Sequence, residues 1–332
     1  MRMYSQNKRI DRVNILILSC GTRNSIVKYF KNELSSIGRV IAADCSNLAP
    51  ALYDADKYYI IPKINDGDYL DVVLNICTNE SIKGVLSLVD PELSILSLNQ
   101  EKFSQIGVKV IGSSYELCEM ALNKWKMFQW LSNHGYKTAR SFNSKETFYA
   151  SISNNEVEYP VIVKPTHGSA SASVKKVYNK EMIELILSND ANLMIQEFMN
   201  GNDIDADCYI DMISGEVVSI FTKRKINMRA GEADKSVSIK DPALFDLLNR
   251  FIHECGFSGQ IDVDLFYVNG EYYISEVNPR FGGVYPHAHE CGVNSVAMII
   301  NNLMGNVNKN QVGNYDEGVY MMKYNSTKIM KF

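Results

Sequence analysis

The 332-residue sequence has no Cys-x-x-Cys pair, no Gly-x-Gly-x-x-Gly turn, no long run of one charge sign and no apolar stretch of membrane length. Each absence removes a class of protein. The seven cysteines, at 20, 45, 77, 118, 208, 255 and 291, are odd in number and scattered. That pattern argues against a disulfide framework or a zinc site and for reduced thiols in a cytoplasmic protein. Thirty-four Lys+Arg against 38 Asp+Glu leave a net charge of −4, with 22% of residues charged. Neither a nucleic-acid footprint nor a polybasic membrane anchor is present. The amino-terminal basic cluster is Lys8, Arg9 and Arg12, and the apolar run after it, 13–18, ends at Ser19. It is too short for a signal peptide and far below the roughly 20 residues that span a bilayer. These features predict a soluble protein with no nucleic-acid or membrane partner.

With 46% hydrophobic residues the chain can bury real cores, and at roughly 150 residues per domain its length suggests about two. Short β-rich runs at 13–19, 39–43, 85–88 and 108–111 alternate with helical spacing over 25–37 and 67–78. This is the pattern of a parallel sheet covered by helices. It predicts an α/β, Rossmann-like domain over 1–112. Its first turn, Ser19-Cys20-Gly21-Thr22-Arg23, holds a single glycine, so Asp44 stands at a ribose-holding position without the dinucleotide fingerprint. Gly112-Ser113-Ser114 marks a boundary, and apolar spacing predicts one amphipathic helix over 114–135 with Lys124 near its apolar edge. From Tyr159 the texture changes to hairpin-like strands, with turns at Ser214-Gly215 and Asn269-Gly270. Asp241-Pro242 reads as N-cap and first residue of a helix to about Cys255. A helix over 293–304 stops at Gly305, and the polar tail 306–332 contains a strand over 319–324.

Three segments carry chemistry. Tyr159-Pro160-Val161-Ile162-Val163-Lys164-Pro165 is a buried-looking strand ending in a lysine, costly unless it meets an anion. The eight residues after it, 166–173, have no side chain larger than histidine. Such a loop lets backbone N–H groups cradle phosphate oxygens, although alone it also reads as a surface turn. Gln196-Glu197-Phe198 ends a second strand, whose free edge could read a base while Asp203 accepts from hydroxyls. Residues 260–283 say most. Strand period two puts Asp262 and Asp264 on one face, and Glu276 and Asn278 on one face of the partner strand. Converging oxygen ligands with no Cys or His argue for Mg²⁺ or Mn²⁺ over zinc. A solvated acidic hairpin would intersperse lysines, and 261–277 contains none. Arg280 with Gly282-Gly283 then supplies a fixed cation and a glycine pair suited to an anionic group. The His287-Ala288-His289 pair reads as pocket shaping or loop packing rather than as metal ligands.

Taken together, 163–165 with its small-residue loop, 196–198 and 276–283 resemble the ATP-grasp superfamily. The likeness is to its carbamoyl-phosphate-synthase-like carboxylate–amine ligases in particular. The resemblance implies a two-lobed ATP-grasp fold over 113–305, α+β in character. The first lobe, 113–190, would hold the phosphate loop and the second, 191–305, the metal site. It implies ATP with Mg²⁺ or Mn²⁺ as cofactors. Lys124 and Lys164 would contact the phosphates with the loop residues Gly168, Ser169 and Ser171. Gln196, Glu197 and Phe198 would border the adenine and Asp203 would hold the ribose. Asp264, Glu276 and Asn278 would bind metal, and Arg280 would sit on the transferred phosphoryl. Arg229, in the segment 223–232, would clamp an anionic substrate. The family's phosphate loop is commonly richer in glycine, whereas Gly168 stands alone here.

The function implied is Mg-ATP-dependent joining of a small-molecule carboxylate to an amine through an acyl phosphate, releasing ADP and phosphate. The other readings are synthesis of a small acyl or carbamoyl phosphate, a nucleotide-binding regulatory protein without turnover, and an NAD oxidoreductase. The missing fingerprint disfavours the last. A homodimer is the commonest oligomeric state and the default expectation.

Overall fold

The structure, a computed structural model, describes residues 12–168, 174–188, 192–229 and 231–331. The chain divides into two compact units that interleave in sequence. The first draws on 1–88, 99–111 and 296–307, the second on 89–98, 112–295 and 308–332. Among the described residues no helix is long and apolar enough to cross a membrane.

In the first unit β1 (Asn14–Leu18), β2 (Val40–Asp44), β3 (Lys57–Ile60), β4 (Ile82–Ser87) and β5 (Lys109–Val110) form a parallel sheet in the order β3-β2-β1-β4-β5. Helices α1 (Asn24–Leu34) and α2 (Tyr69–Asn79) are its crossovers. Every residue of β1 and β2 is buried, as expected of parallel strands covered on both faces. Strand β3 escaped sequence detection because it is an edge strand with no fully buried residue. Asp44 accepts hydrogen bonds from the backbone N–H of Gly21 at 2.8 Å and of Ser46 at 3.0 Å. Its carboxylate thus shapes the turn after β1. Between β4 and α4 (Gln100–Gln105) runs α3 (Asp90–Leu98), whose residues belong to the second unit.

The second unit begins with a helix pair where the sequence predicts one helix. The chain breaks at Asn123 into α5 (Tyr115–Leu122) and α6 (Lys124–Asn133). The Asn123 side chain caps α6 by accepting from the Lys126 N–H at 3.0 Å, a local bond that periodicity cannot reveal. The break places Lys124 at the first position of α6. Strands β6 (Ser141–Phe142), β7 (Val161–Pro165), β8 (Lys175–Val177) and β9 (Leu193–Glu197) form a sheet in the order β6-β9-β7-β8. Helices α7 (Lys145–Ser153) and α8 (Lys180–Leu187) pack on it through Phe148 and Ile183. Antiparallel pairing to β7 therefore puts β9 with the first lobe's sheet, beyond the expected limit at 190.

A larger antiparallel sheet follows. It contains β10 (Asn202–Ile210), β11 (Val217–Arg229), β12 (Glu232–Ile239), β13 (Gly259–Val268), β14 (Glu271–Asn278) and β15 (Tyr320–Met322), in the order β14-β13-β10-β11-β12-β15. The tail thus contributes an edge strand. Helix α9 (Pro242–Cys255) lies between β12 and β13 in sequence, and α10 (Tyr285–Glu290) and α11 (Ser295–Leu303) follow β14. Asp241 caps α9 by accepting from the Ala243 N–H at 2.9 Å, and Gly256, at φ 82°, closes it in the left-handed conformation. Leu244, Leu248 and Phe251 of α9 share one core with Ile204, Ala206 and Cys208 of β10 and with Ile261, Val263 and Leu265 of β13. That core fixes one face of the sheet as apolar. Replacing the fully buried Leu248 with alanine is expected to destabilise the fold by about 2–5 kcal/mol, read from urea unfolding.

Candidate active site

Because side chains alternate across a strand, the residues between those of the core face the other way. On β10 these are Asp203, Asp205 and Asp207. Cross-strand register brings Asp205 opposite Asp264 and Asp207 opposite Asp262, then Asp264 opposite Glu276 and Asp262 opposite Asn278. The two faces predicted for the 261–278 hairpin are therefore one continuous polar surface. The lysines that the hairpin lacks come from β11. Lys223 is fully buried and spans Asp205 at 2.6 Å and Asp207 at 2.5 Å. Lys225 pairs with Asp264 and lies 3.9 Å from Asp205.

Burial pulls the pKa of Lys223 down. Asp205 and Asp207 outweigh that effect and hold its pKa above the ordinary lysine value. Acids still outnumber lysines on this face, and burial together with Asp205 and Asp264 pushes Asp262 well above the usual carboxylate range. Asp262 accepts from Asn278 Nδ2 at 3.2 Å, while its buried Oδ1 has no hydrogen-bond partner among the described residues. A Cβ on residue 282 would stand 2.6 Å from that Oδ1, so Gly282 is required by close packing on a carboxylate.

Lys124 and Lys164 approach this surface from the first lobe. The Lys124 N–H bonds the Thr166 carbonyl at 2.8 Å, and its ammonium donates to the Gly168 carbonyl and to Glu276 Oε1, the latter at 3.2 Å. The start of the small-residue loop is thereby tied to α6. Lys164, next to last in β7, donates to Gln196 Oε1 at 2.7 Å. Burial drives its pKa down to about 8, with Lys124 adding to the fall and Glu276 and Asp264 opposing it. Arg280 donates through Nη2 to Asn278 Oδ1 at 3.2 Å and to Asp90 Oδ2 at 3.1 Å, and through Nη1 to the Phe281 carbonyl at 3.1 Å. Asp203 lies on the same face, its pKa raised by burial, lowered by Lys225 and raised by Asp264.

The structure thus gathers Lys124, Lys164, Asp203, Asp264, Glu276, Asn278 and Arg280. Arg229 is not among them; it ends β11 opposite Glu232 and is exposed. Ser169 and Ser171 lie outside the described residues. The expected free edge of β9 is corrected. It pairs with β6 on one side and β7 on the other, and the Glu197 N–H bonds the Arg140 carbonyl at 2.8 Å. The Glu197 carboxylate turns back to the Arg140 N–H at 3.2 Å. The chain leaves the sheet only at Phe198, whose ring carries the Lys176 ammonium 3.4 Å from its centroid. His287 takes no metal-like geometry. Its Nδ1 meets Ser236 Oγ at 2.8 Å and its Nε2 the Val319 carbonyl at 3.1 Å.

Sequence reasoning missed Asp90, the acid that holds Arg280. Its position just past β4, at the carboxyl end of a parallel strand, is where open α/β sheets place functional residues, and that was the available signal. The pairings of Lys223 and Lys225 were illegible because they depend on register between distant strands.

The donor set fits a hard divalent cation. Among the described residues no three or more His, Cys, Asp or Glu side chains form a metal cage. Two carboxylates facing each other in register beside an amide would instead share an ion with ligand oxygens, the habit of Mg²⁺.

Lys223→Met leaves two buried aspartates uncompensated, and the expected loss is about 3–5 kcal/mol at neutral pH. Without the lysine those acids titrate above their unfolded value of 3.8. Stability of the variant is therefore retained below about pH 4 and lost as pH rises, so its deficit against wild type widens between pH 4 and 8. Urea unfolding across that range measures it.

Residues 121–284 match the ATP-grasp domain family and residues 15–111 the PylC-like N-terminal domain. The carbamoyl phosphate synthase large chain of Halomonas eurihalina is 23% identical over 284 residues, which are 80% of this chain and 25% of that one. The chain spans about a quarter of the length of the curated relatives it matches. N5-carboxyaminoimidazole synthetase from Staphylococcus aureus, solved with ADP, superimposes with a TM-score of 0.74 at 16% identity, covering 90% of this chain and 79% of that one. The biotin carboxylase domain of Hydrogenobacter thermophilus 2-oxoglutarate carboxylase, solved with MgADP and bicarbonate, gives 0.74 at 16% identity over 92% and 73%. Two lysines reaching an acidic, amide-bearing strand pair lie within the matched region, and residues 121–284 are an ATP-grasp domain.

Proposed function

We propose that the protein is a Mg-ATP-dependent ligase that joins a small-molecule carboxylate to an amine. The observation that carries the reading is the convergence of Lys124 and Lys164 on Glu276 and Asp264. Paired cations facing paired acids suit a polyanion that arrives with its own counter-cation. The nucleotides in the S. aureus and H. thermophilus structures support ATP as that polyanion. A magnesium ion held by Asp264, Glu276 and Asn278 would neutralise phosphate charge.

In this reading an oxygen of the substrate carboxylate attacks the γ-phosphorus, and the bond from phosphorus to the ADP oxygen breaks. Lys124, Lys164 and Arg280 stabilise the negative charge spread over the moving phosphoryl group. The amine nitrogen then attacks the acyl carbon, the C–N bond forms, phosphate leaves and the nitrogen gives up its proton. No protein nucleophile is needed. Asp90 restrains Arg280 so that the guanidinium is set before substrate arrives.

Glu276→Gln is expected to lower substrate-dependent ADP release about a hundredfold or more. A mass-detected screen of acid and amine pairs with Mg-ATP identifies the substrates in which to measure it, and undiminished turnover in the variant overturns the site. A second expectation concerns pH. With its pKa at about 8, Lys164 loses its charge as pH rises past that value, so KM for Mg-ATP climbs above about pH 8. Lys164→Arg, which stays charged, should flatten that climb.

A further inference from the structure

We infer that Ser141, on β6, is a positioning residue that sets Lys164 for the nucleotide through Gln196; this rests on the ATP reading above. Ser141 and Gln196 are register partners across β6 and β9, and Gln196 is the partner of Ile162 across β9 and β7. The three polar side chains form one buried chain of hydrogen bonds. Lys164 Nζ donates to Gln196 Oε1 at 2.7 Å, Gln196 Nε2 donates to Ser141 Oγ at 2.9 Å, and Ser141 Oγ donates to the Ala139 carbonyl at 3.0 Å. Ser141, Gln196 and Lys164 are 6%, 7% and 8% exposed.

The direction of this chain is forced. A serine hydroxyl has one proton, and the Ala139 carbonyl can only accept it. The lone pairs of Oγ are then what Gln196 meets, and only its NH₂ end can face them. Its carbonyl end must therefore face the lysine. An amide rotated end for end would set NH₂ against the ammonium and leave two buried donors facing each other.

The choice of an amide also matters electrostatically. A carboxylate at 196 would cancel the lysine's charge, as Asp205 and Asp207 do for Lys223. An amide oxygen orients the ammonium and leaves its net positive charge to act on a phosphate. Gln196, whose two ends are engaged within the protein, is on this account a support for Lys164 rather than a reader of the base.

The test measures binding of the non-hydrolysable Mg-ATP analogue AMPPNP by calorimetry, together with steady-state kinetics on any substrate pair the screen yields. Ser141→Ala is expected to weaken analogue binding about fivefold to tenfold and to raise KM for Mg-ATP in parallel, with kcat at saturating ATP and KM for the other substrates within twofold of wild type. Ser141→Thr, which keeps the hydroxyl, should bind within twofold of wild type. Gln196→Met removes the amide at similar volume and should weaken binding at least as much as Ser141→Ala. The double variant Ser141→Ala/Gln196→Met should be no weaker than Gln196→Met alone, because the serine acts only through the amide. Wild-type affinity in a folded Ser141→Ala or Gln196→Met variant, or full additivity of the two, overturns the inference. Failure of the wild-type protein itself to bind the analogue overturns the ligase reading instead, and loss of binding in Lys164→Ala keeps the two outcomes apart.

Discussion

The contact on which the polar face depends is Lys223 between Asp205 and Asp207. Three ionised groups with almost no access to water are stable only if they meet one another, since each alone costs several kcal/mol to bury. This requirement fixes how β11 lies against β10. A slip of one residue would move Lys223 and Lys225 together to the opposite face of the sheet. β13 then pairs with β10, and a register shift in the β13–β14 pairing brings Asp264 opposite Glu276 and Asp262 opposite Asn278. The candidate metal ligands are aligned by these pairings together with the ion pair beside them.

The opposite face supplies the complementary constraint. Residues 204, 206 and 208 of β10 and 261, 263 and 265 of β13 enter a core with α9, and alternation along the strands leaves the acids no other place than the far side. Hydrophobic burial of one face and charge pairing on the other therefore specify the same register, and agreement of this kind makes a single native arrangement favourable. Lys225 extends the pattern outward. It pairs with Asp264, so one of the candidate metal ligands is balanced by a cation of the protein itself.

How much of this was legible in the sequence follows from the range of each interaction. Helix α9 was readable from end to end because its signals are local, an aspartate cap, a proline and a closing glycine. The 259–278 hairpin was readable from its Asn-Gly turn, and counting in twos put Asp262 with Asp264 and Glu276 with Asn278, but the register shift beyond Leu265 that brings the two pairs onto one surface left no trace in the sequence. The Lys164 strand and the Arg280 segment stood out by composition. Other features depend on partners distant in sequence. The break at Asn123 is made by a side-chain cap inside an unbroken apolar pattern. The covered edge of β9 is made by a two-residue strand, β6, too short to carry a pattern. Asp90 meets Arg280 across 190 positions. Long-range pairing of single polar residues leaves no periodic trace, and the surroundings of the candidate site are built largely from such pairs.

Lys164 and Lys223 show what that long-range context does to one residue type. Both are buried lysines at strand positions, and burial pulls the pKa of each downward. Lys223 meets two carboxylates and ends above its ordinary value, permanently charged and unable to exchange partners without exposing two acids. Lys164 donates to an amide, feels Glu276 and Asp264 without a recorded ion pair to either, and ends at about 8, charged at neutral pH. The first arrangement suits a structural cation, since any ligand would have to compete with carboxylates already in contact. The second suits a cation kept for a ligand, because an incoming phosphate restores through charge the stabilisation that burial removes. A net charge of −4 over the whole chain is thus no obstacle to holding a polyanion. What counts is which lysines are enclosed by two buried carboxylates, as Lys223 is, and which, like Lys164, hydrogen-bond a neutral amide.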